Sequence, residues 1–194
     1  MNVYVVDDDA ELRESLASYL GGCGYAVQMF ASGAAFLSVA EDLTPGCIVL
    51  DLRMPDLDGL ALQRALCEMQ SGHQIVLLSG YGEVQQAVRA IRAGAIDFLT
   101  KPCPPEQVLG AVEHARANLA QVRQREDAKI LLKRLTEREQ AILHASAGGK
   151  ASKQVAHELS LSIRTIEAHR SRIIHKLGAQ NFAGALLIAQ GCDS

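Results

Sequence analysis

Short apolar runs alternate with amphipathic segments along the first 117 residues. Five of these runs predict β-strands, and two of them, Cys-Ile-Val-Leu and Ile-Val-Leu-Leu, carry apolar residues on both faces. Strands that are apolar on both faces are typical of a parallel sheet covered by helices on each side. The predicted strands cover residues 3–6, 27–30, 47–50, 75–78 and 97–99.

The segments between these runs carry apolar residues every three or four positions, which predicts helices. Leu12, Leu16 and Leu20 form the first stripe. The others are Leu62, Leu66 and Met69; Val84, Val88 and Ile91; and Val108 with Val112, while residues 32–40 supply one more helix. Strands that alternate with helices predict an α/β fold, namely a five-stranded parallel doubly wound sheet of the flavodoxin-like type.

The pattern becomes entirely helical towards the end of the chain. Thr136 and Glu139 have the spacing of a capping box, which starts a helix. A short helix over 152–159, a tight connection over 160–162 and a long helix ending at Leu177 follow, and Phe182–Gln190 forms a last helix. A short helix, a three-residue turn and a long helix predict a small all-α helix-turn-helix domain.

The segment between these two regions contains no Gly or Pro and is rich in helix-forming residues. It predicts a helical linker that continues the last helix of the α/β domain. We therefore expect three parts: an α/β domain over 1–117, a linker over 118–134 and a helix-turn-helix domain over 135–194.

Charge is distributed unevenly over the 194 residues. Residues 1–130 hold ten Lys/Arg and seventeen Asp/Glu, a net charge of −7, whereas residues 131–194 hold nine and five, a net charge of +4. A basic second part makes nucleic acid a candidate partner.

The five cysteines are scattered, which disfavours a disulfide framework or a zinc ribbon. The acidic start differs from a secretory leader, and glycines interrupt the long uncharged stretch, so we expect a cytoplasmic protein without a membrane span.

Polar side chains with related chemistry follow four of the predicted strands. Asp7 and Asp8 follow the first strand, Asp51 the third, Ser79 the fourth and Lys101 the fifth. The carboxyl ends of strands in a doubly wound sheet form its binding crevice. Three carboxylates gathered there favour a hard cation such as Mg²⁺. A metal, a hydroxyl and an ammonium around Asp51 are the elements that stabilise a phosphoryl group in transfer.

Four motifs at these positions closely resemble the receiver domain of two-component response regulators, over about residues 1–117. They are Val-Val-Asp-Asp-Asp, Val-Leu-Asp-Leu-Arg-Met-Pro-Asp-Leu-Asp-Gly, Leu-Leu-Ser-Gly-Tyr-Gly and Asp-Phe-Leu-Thr-Lys-Pro. The resemblance implies that Asp51 is the phosphoacceptor. It also implies that Asp7, Asp8 and Asp51 hold Mg²⁺ together with the backbone carbonyl of Arg53.

The same resemblance implies a switch that reports phosphorylation. Ser79 would be its hydroxyl, Phe98 its aromatic residue and Lys101 the partner of the phosphate, with a cis Lys101-Pro102 bond. Cys103 departs from the family, which commonly has an aromatic residue there.

The lifetime of the phosphoryl group depends on access of water. Arg53 and Tyr81 lie two residues after Asp51 and Ser79, where large side chains could flank the path of a hydrolytic water. We therefore expect slow loss of the phosphoryl group.

The long helix of the tail has two chemically different faces. Ile166, Ile173 and Leu177 form one narrow apolar stripe, with Ile163 and Ile174 beside it, and we expect this stripe to be core. The opposite face shows Arg, Glu and small residues, which suit the major groove of DNA.

Four tail motifs resemble a LuxR/FixJ-type output domain, over about residues 131–190. They are Leu-Thr-Glu-Arg-Glu-Gln-Ala-Ile-Leu, Lys-Gln-Val-Ala-His-Glu-Leu, Ser-Ile-Arg-Thr-Ile-Glu-Ala-His-Arg and His-Lys-Leu-Gly. The resemblance implies a base-reading helix and phosphate contacts at the helix starts. The base-reading candidates are Arg164, Glu167, Ala168 and Ser171. The phosphate candidates are Lys153, Thr165, Arg170 and Arg172. His169 is either a structural histidine or a DNA contact.

Together the resemblances imply a transcriptional regulator of a two-component system. A sensor histidine kinase phosphorylates Asp51 with Mg²⁺, and the chain then forms a homodimer and binds double-stranded promoter DNA as an activator, with RNA polymerase as a further candidate partner. We expect no enzymatic turnover.

One alternative is a Mg²⁺-dependent phosphohydrolase with Asp51 as nucleophile, although Arg53 occupies the position at which such enzymes usually have a second carboxylate. The other is a receiver whose output domain binds a protein.

Overall fold

The computed structural model describes residues 1–55, 57–80 and 84–191. It consists of two compact units, Met1–Ala120 and Gln121–Ser194, and each unit has a hydrophobic core of its own. Within the described ranges, no helix has both the length and the apolar character that crossing a membrane requires.

The first unit is built on a sheet of five parallel strands. Their spatial order is β2-β1-β3-β4-β5, which confirms the predicted doubly wound α/β fold. The strands are β1 (Asn2–Val6), β2 (Ala26–Phe30), β3 (Cys47–Asp51), β4 (Gln74–Ser79) and β5 (Asp97–Thr100). Strands β1, β3 and β4 are central, so their carboxyl ends are neighbours along one edge of the sheet.

Alternate residues of the central strands enter two separate cores. Ile48 and Leu50 of β3 pack on one side of the sheet, whereas Cys47 and Val49 pack on the other. All four are fully buried. The wholly apolar runs in the sequence therefore reflect helices on both faces, as a parallel sheet requires.

Four helices connect the strands, and a longer one follows. They are α1 (Ala10–Gly22), α2 (Gly33–Leu37), α3 (Gly59–Glu68), α4 (Val84–Arg92) and α5 (Pro105–Leu132). Helix α1 begins at Asp9, whose carboxylate accepts hydrogen bonds from the backbone N–H groups of Glu11 and Leu12. Helix α5 is continuous from Pro105 through residue 117 to Leu132.

Helix α4 forms where the sequence predicted it, but two residues of its apolar stripe do not face the core. Val88 and Ile91 are 46% and 48% exposed, while Ala90 is fully buried against the sheet. The small Ala90 side chain lets the helix lie close to its neighbours, and the larger apolar residues point elsewhere. The first unit thus carries exposed apolar side chains on α4.

The second unit contains the predicted helices. Beyond the end of α5 they are α6 (Glu137–Ala145), α7 (Ser152–Glu158), α8 (Ile163–Leu177) and α9 (Phe182–Gln190), with a short 3₁₀ turn at Ala147–Gly149. The capping box of Thr136 and Glu139 is present at the start of α6. Ser162 is the N-cap of α8, and the C-cap Gly178 has a left-handed φ of 64°.

The predicted core stripe of α8 is confirmed. Ile166, Ile173 and Leu177 are buried and pack with residues of α6, α7 and α9. Ile163, predicted beside that stripe, is 49% exposed instead because it is the first helical residue and lies beyond the edge of the core.

Candidate functional site

The structure brings the three predicted carboxylates together at the carboxyl edge of the sheet. One oxygen each from Asp7, Asp8 and Asp51 lies within 4.8 Å of the others. Asp7 and Asp51 are buried, whereas Asp8 is exposed. Hard divalent cations prefer carboxylate oxygens as ligands, so this donor set fits such an ion.

Lys101 reaches into the same crevice from the segment that follows β5. Its Nζ lies 2.6 Å from Oδ2 of Asp7 and 2.5 Å from Oδ1 of Asp51. One ammonium therefore bridges two buried carboxylates and offsets part of their mutual repulsion. The peptide bond between Lys101 and Pro102 is cis, as the resemblance implied.

The protonation of this pair follows from burial and the shared hydrogen bonds. Burial raises the pKa of Asp51, and the charge of Asp7 raises it further, while Lys101 and the N–H of Arg53 offset part of the rise. Burial alone would lower the pKa of Lys101, but its hydrogen bonds to the two carboxylates outweigh burial and raise it. Lys101 therefore remains a cation in the crevice.

Backbone contacts fix the two buried carboxylates. The N–H of Arg53 donates to Oδ2 of Asp51 at 2.9 Å, and the N–H of Asp9 donates to Oδ1 of Asp7 at 2.9 Å. Arg13, which the sequence analysis did not single out, donates from Nη1 to the backbone carbonyl of Asp7 at 2.6 Å. These contacts hold the ends of β1 and β3 in place.

Gly59 is a second residue that the sequence analysis did not assign. It begins α3, and its N–H donates to the carbonyl of Leu52 at 2.9 Å. A Cβ at this position would lie 2.6 Å from the backbone oxygen of Asp51. Only glycine allows the two backbones to lie this close. The position of Gly59 at the end of the motif that begins Val-Leu-Asp was the feature of the sequence that could have identified it.

The predicted switch residues lie on the neighbouring strands β4 and β5. Ser79 ends β4 and is fully buried, and Phe98 of β5 is half-buried against one of the two cores. The Arg53 side chain is exposed two residues after Asp51. Tyr81, the other residue predicted to control phosphoryl lifetime, lies outside the described residues.

Cys103 lines a cavity next to the crevice. The cavity has a volume of about 370 Å³, and its walls are mainly the apolar side chains of Leu12, Leu16, Leu78 and Pro102. Cys103 is half-buried and packs against the neighbouring core. The small residue at this position thus leaves open space where the receiver family commonly has an aromatic ring.

In the second unit, most predicted DNA contacts are exposed. Thr165 is half-buried, and its hydroxyl oxygen lies 2.7 Å from that of the N-cap Ser162. The exposed candidates are Lys153 on α7 and Arg164, Glu167, Ala168, Ser171 and Arg172 on α8. A helix that exposes cationic, acidic and small side chains along one face can present them to base edges and phosphates.

Arg170 differs from these candidates because its guanidinium is engaged inside the unit. It donates to the hydroxyl oxygens of Ser152 at 2.5 Å and Ser146 at 3.2 Å and to the carbonyl of Lys150 at 3.0 Å. The guanidinium carbon also lies 4.4 Å from the centroid of the Phe182 ring. Arg170 therefore makes structural contacts within this unit, and its predicted phosphate contact stays a prediction.

His169 beside it is half-buried on the same helix. Burial, together with the nearby charge of Arg172, lowers its pKa and keeps the ring neutral. Its Nδ1 is buried and has no hydrogen-bond partner among the described residues, so the structure does not show a backbone bond at that nitrogen.

Two sequence families match the two units of the chain. Residues 3–113 match the response regulator receiver domain, and residues 133–189 match the bacterial regulatory proteins of the luxR family.

Relatives with known roles resemble almost the whole chain. The transcriptional regulatory protein FixJ of Rhizobium meliloti (strain 1021) is 38% identical over 183 residues, which cover 92% of this chain and 90% of the relative. The response regulator protein TmoT of Ectopseudomonas mendocina is 40% identical over 181 residues, which cover 90% and 81%. The solved structure of the response regulator StyR superposes with a TM-score of 0.69 at 35% identity and covers 97% of this chain and 98% of that one.

Proposed function

The chain belongs to the two-component response regulators that join a receiver domain to a LuxR-type DNA-binding domain, and we propose that phosphorylation of Asp51 controls its binding to promoter DNA. The donor is the phosphohistidine of a sensor histidine kinase. The chain itself is a regulator of transcription, as its relative FixJ is.

The crevice supplies the groups that phosphoryl transfer needs. A carboxylate oxygen of Asp51 forms a bond to phosphorus while the bond from phosphorus to the kinase imidazole nitrogen breaks and its electron pair returns to the imidazole. Asp7, Asp8, Asp51 and the backbone carbonyl of Arg53 would hold Mg²⁺, which would supply positive charge that offsets the phosphoryl oxygens. Lys101, already 2.5 Å from Oδ1 of Asp51, is placed to pair with one of those oxygens.

The response to this added charge passes through Ser79 and Phe98. A phosphoryl oxygen draws the Ser79 hydroxyl inward, and the half-buried Phe98 ring turns into the space that is vacated. Helix α4 and strand β5 are the elements whose surface then changes. The exposed Val88 and Ile91 on α4 support a role for this surface in formation of a homodimer, since apolar side chains grouped on a surface mark sites of association.

The dimer places two copies of α8 in successive major grooves of an inverted repeat. Arg164, Glu167, Ala168 and Ser171 face the bases, while Lys153, Thr165, Arg170 and Arg172 contact phosphates. The function places the chain in the cytoplasm with the bacterial chromosome, and it acts there as an activator that can contact RNA polymerase.

This proposal assigns no turnover of external substrates to the chain. The phosphohydrolase alternative needs a second carboxylate two residues after Asp51, where the chain has Arg53. The luxR-family match of the second unit favours DNA over a protein as the output partner.

The observation that carries the proposal is the convergence of Asp7, Asp8 and Lys101 on Asp51. Its test is incubation of the full chain with acetyl phosphate and Mg²⁺, followed by intact-mass measurement. We expect one phosphoryl group on the wild type and none on Asp51→Asn, which should retain the circular dichroism of the native fold. Equal labelling of the variant would contradict the assignment.

A further inference from the structure

The hydroxyl of Ser152 lies between two side chains of the DNA-facing helix. Ser152 is the first residue of α7, and Glu167 and Arg170 belong to α8. Its Oγ accepts a hydrogen bond from Nη1 of Arg170 at 2.5 Å and makes a hydrogen bond to Oε1 of Glu167. Through Ser152, the start of the short helix is tied to a candidate base-reading residue on the long one.

The direction of these bonds is fixed by the chemistry of the three groups. A guanidinium has donors and no acceptor, so the Ser152 oxygen must accept from Arg170. A carboxylate has acceptors only, so the single hydroxyl proton of Ser152 must be donated to Glu167. Both outer groups carry charge, and hydrogen bonds to charged groups are stronger than neutral ones.

Arg170, at the buried end of this series of hydrogen bonds, is held by further contacts. Arg170 also donates to Ser146 and to the carbonyl of Lys150, and it lies over the ring of Phe182. Ser146 is fully buried and donates in turn to the carbonyl of Ile142 at 2.7 Å. A continuous path of hydrogen bonds therefore runs from the core of the second unit to the exposed carboxylate of Glu167.

We infer that Ser152 is a positioning residue that orients the Glu167 carboxylate for base recognition; this rests on the proposed DNA binding by α8. Among the described residues, hydrogen bonds to Glu167 reach Oε1 and leave Oε2 to accept from a base amino group, such as that of cytosine. An exposed glutamate without such a partner samples several rotamers, and fixing one of them on binding costs entropy. The hydrogen bond from Ser152 fixes the Glu167 rotamer before DNA binds, so this entropy is not lost on binding.

The test measures base discrimination by the full chain. Duplexes selected from a random pool by the beryllofluoride-treated wild type define the site, and fluorescence anisotropy then gives Kd for each single base-pair substitution. We expect Glu167→Ala to relax discrimination at one base pair, roughly tenfold or more. Ser152→Ala should relax discrimination at the same base pair and add nothing further in the Glu167→Ala background. Ser152→Thr, which keeps the hydroxyl, should restore it.

Lys153→Ala is the matched control on the same helix turn. As a predicted phosphate contact, Lys153 should affect all sequences equally and lower the salt dependence of binding. If Ser152→Ala likewise weakens all sequences equally, or leaves discrimination intact while Glu167→Ala relaxes it, the positioning role is refuted and the proposed function stands. If the wild type selects no DNA sequence, the proposed function itself fails, and the inference fails with it.

Discussion

The ammonium of Lys101 lies 2.5 Å from Oδ1 of Asp51, and the same nitrogen lies 2.6 Å from Oδ2 of Asp7. This one cation neutralises part of the charge of two buried carboxylates that would otherwise repel each other. Asp8 is exposed and forms no part of this ion pair. Asp8 is therefore the carboxylate of the three that is accessible to a cation from solvent.

Replacement of Asp8 by Ala should separate metal binding from folding. Because the side chain is exposed, we expect the stability of the apo protein to change by less than about 0.5 kcal/mol. We expect binding of Mg²⁺ to the folded state to raise the unfolding temperature of the wild type by mass action. This rise should be lost in Asp8→Ala, as measured by thermal unfolding at increasing Mg²⁺ concentration.

Asp9→Ala is the control for that experiment. Asp9 caps α1, so the variant should lose about 1 kcal/mol of stability without Mg²⁺ and yet retain the increase that Mg²⁺ produces. A full Mg²⁺ response in Asp8→Ala would show that Asp8 is not a ligand.

Arg53→Ala should shorten the lifetime of the phosphoryl group. The backbone N–H of residue 53 still donates to Asp51 in the variant, so the substitution removes only the exposed side chain beside the acceptor. Water then reaches phosphorus more easily. We expect slow hydrolysis in the wild type and faster hydrolysis in the variant, measured as loss of the phosphoryl mass after removal of acetyl phosphate. Decay within seconds in the wild type, unchanged by Arg53→Ala or Tyr81→Ala, would be incompatible with this role.

Acid should destabilise the second unit through Glu139. Burial acts to raise the pKa of this carboxyl, but hydrogen bonds from Lys176 and Thr136 outweigh burial and lower it. A folded pKa below the unfolded value of about 4.3 means that the folded state binds fewer protons. The stabilisation is therefore complete above that value and is lost as the pH falls through the folded pKa.

Glu139→Gln should weaken this acid dependence and cost roughly 1.5–3 kcal/mol at neutral pH, because it removes charged hydrogen bonds from a buried group. Urea unfolding at several pH values, with α6 and α8 followed by pulsed hydrogen exchange, measures both effects. The exposed pair of Lys150 and Glu158 provides the comparison, and Glu158→Gln should cost less than about 1 kcal/mol. Identical pH profiles for wild type and Glu139→Gln would rule out this source of acid sensitivity.

Arg170 and Arg164 should respond differently to replacement by alanine. Arg170→Ala breaks contacts to Ser146, Ser152 and Phe182, so we expect a loss of about 1–3 kcal/mol in the free energy of unfolding. Arg164 is exposed, and Arg164→Ala should leave stability within about 0.5 kcal/mol while it weakens DNA binding. Urea unfolding and anisotropy measure the two quantities. Unchanged stability in Arg170→Ala would contradict a structural role for these contacts.

The sheet and the acidic cluster could be predicted because both follow from local rules. An apolar run such as that over 47–50 has to be buried on both faces, and the carboxyl ends of parallel strands have to meet at one edge. Asp51 and Ser79 nevertheless extend β3 and β4 by one residue each, since backbone pairing does not end where polarity begins. The cluster was therefore predicted from the order of the strands, without coordinates.

Contacts between distant elements could not be predicted in the same way. The spacing of Val88 and Ile91 identifies a helix, but it does not say which face a neighbour covers, and Ala90 proved to be the buried residue. A helical wheel places Arg170 near the buried stripe of α8, but the acceptors Ser146 and Ser152 belong to other segments. Such partners are set by tertiary packing, which periodicity along one helix does not record.

The most direct test of the central claim is the affinity of the full chain for its selected DNA site with and without beryllofluoride, in the presence of Mg²⁺. The wild type should bind more tightly and sediment as a dimer once the phosphoryl mimic is added, with an affinity that falls steeply as salt increases. Asp51→Asn should show neither change. Equal affinity and unchanged sedimentation of the wild type with and without the mimic would contradict control of DNA binding by phosphorylation at Asp51.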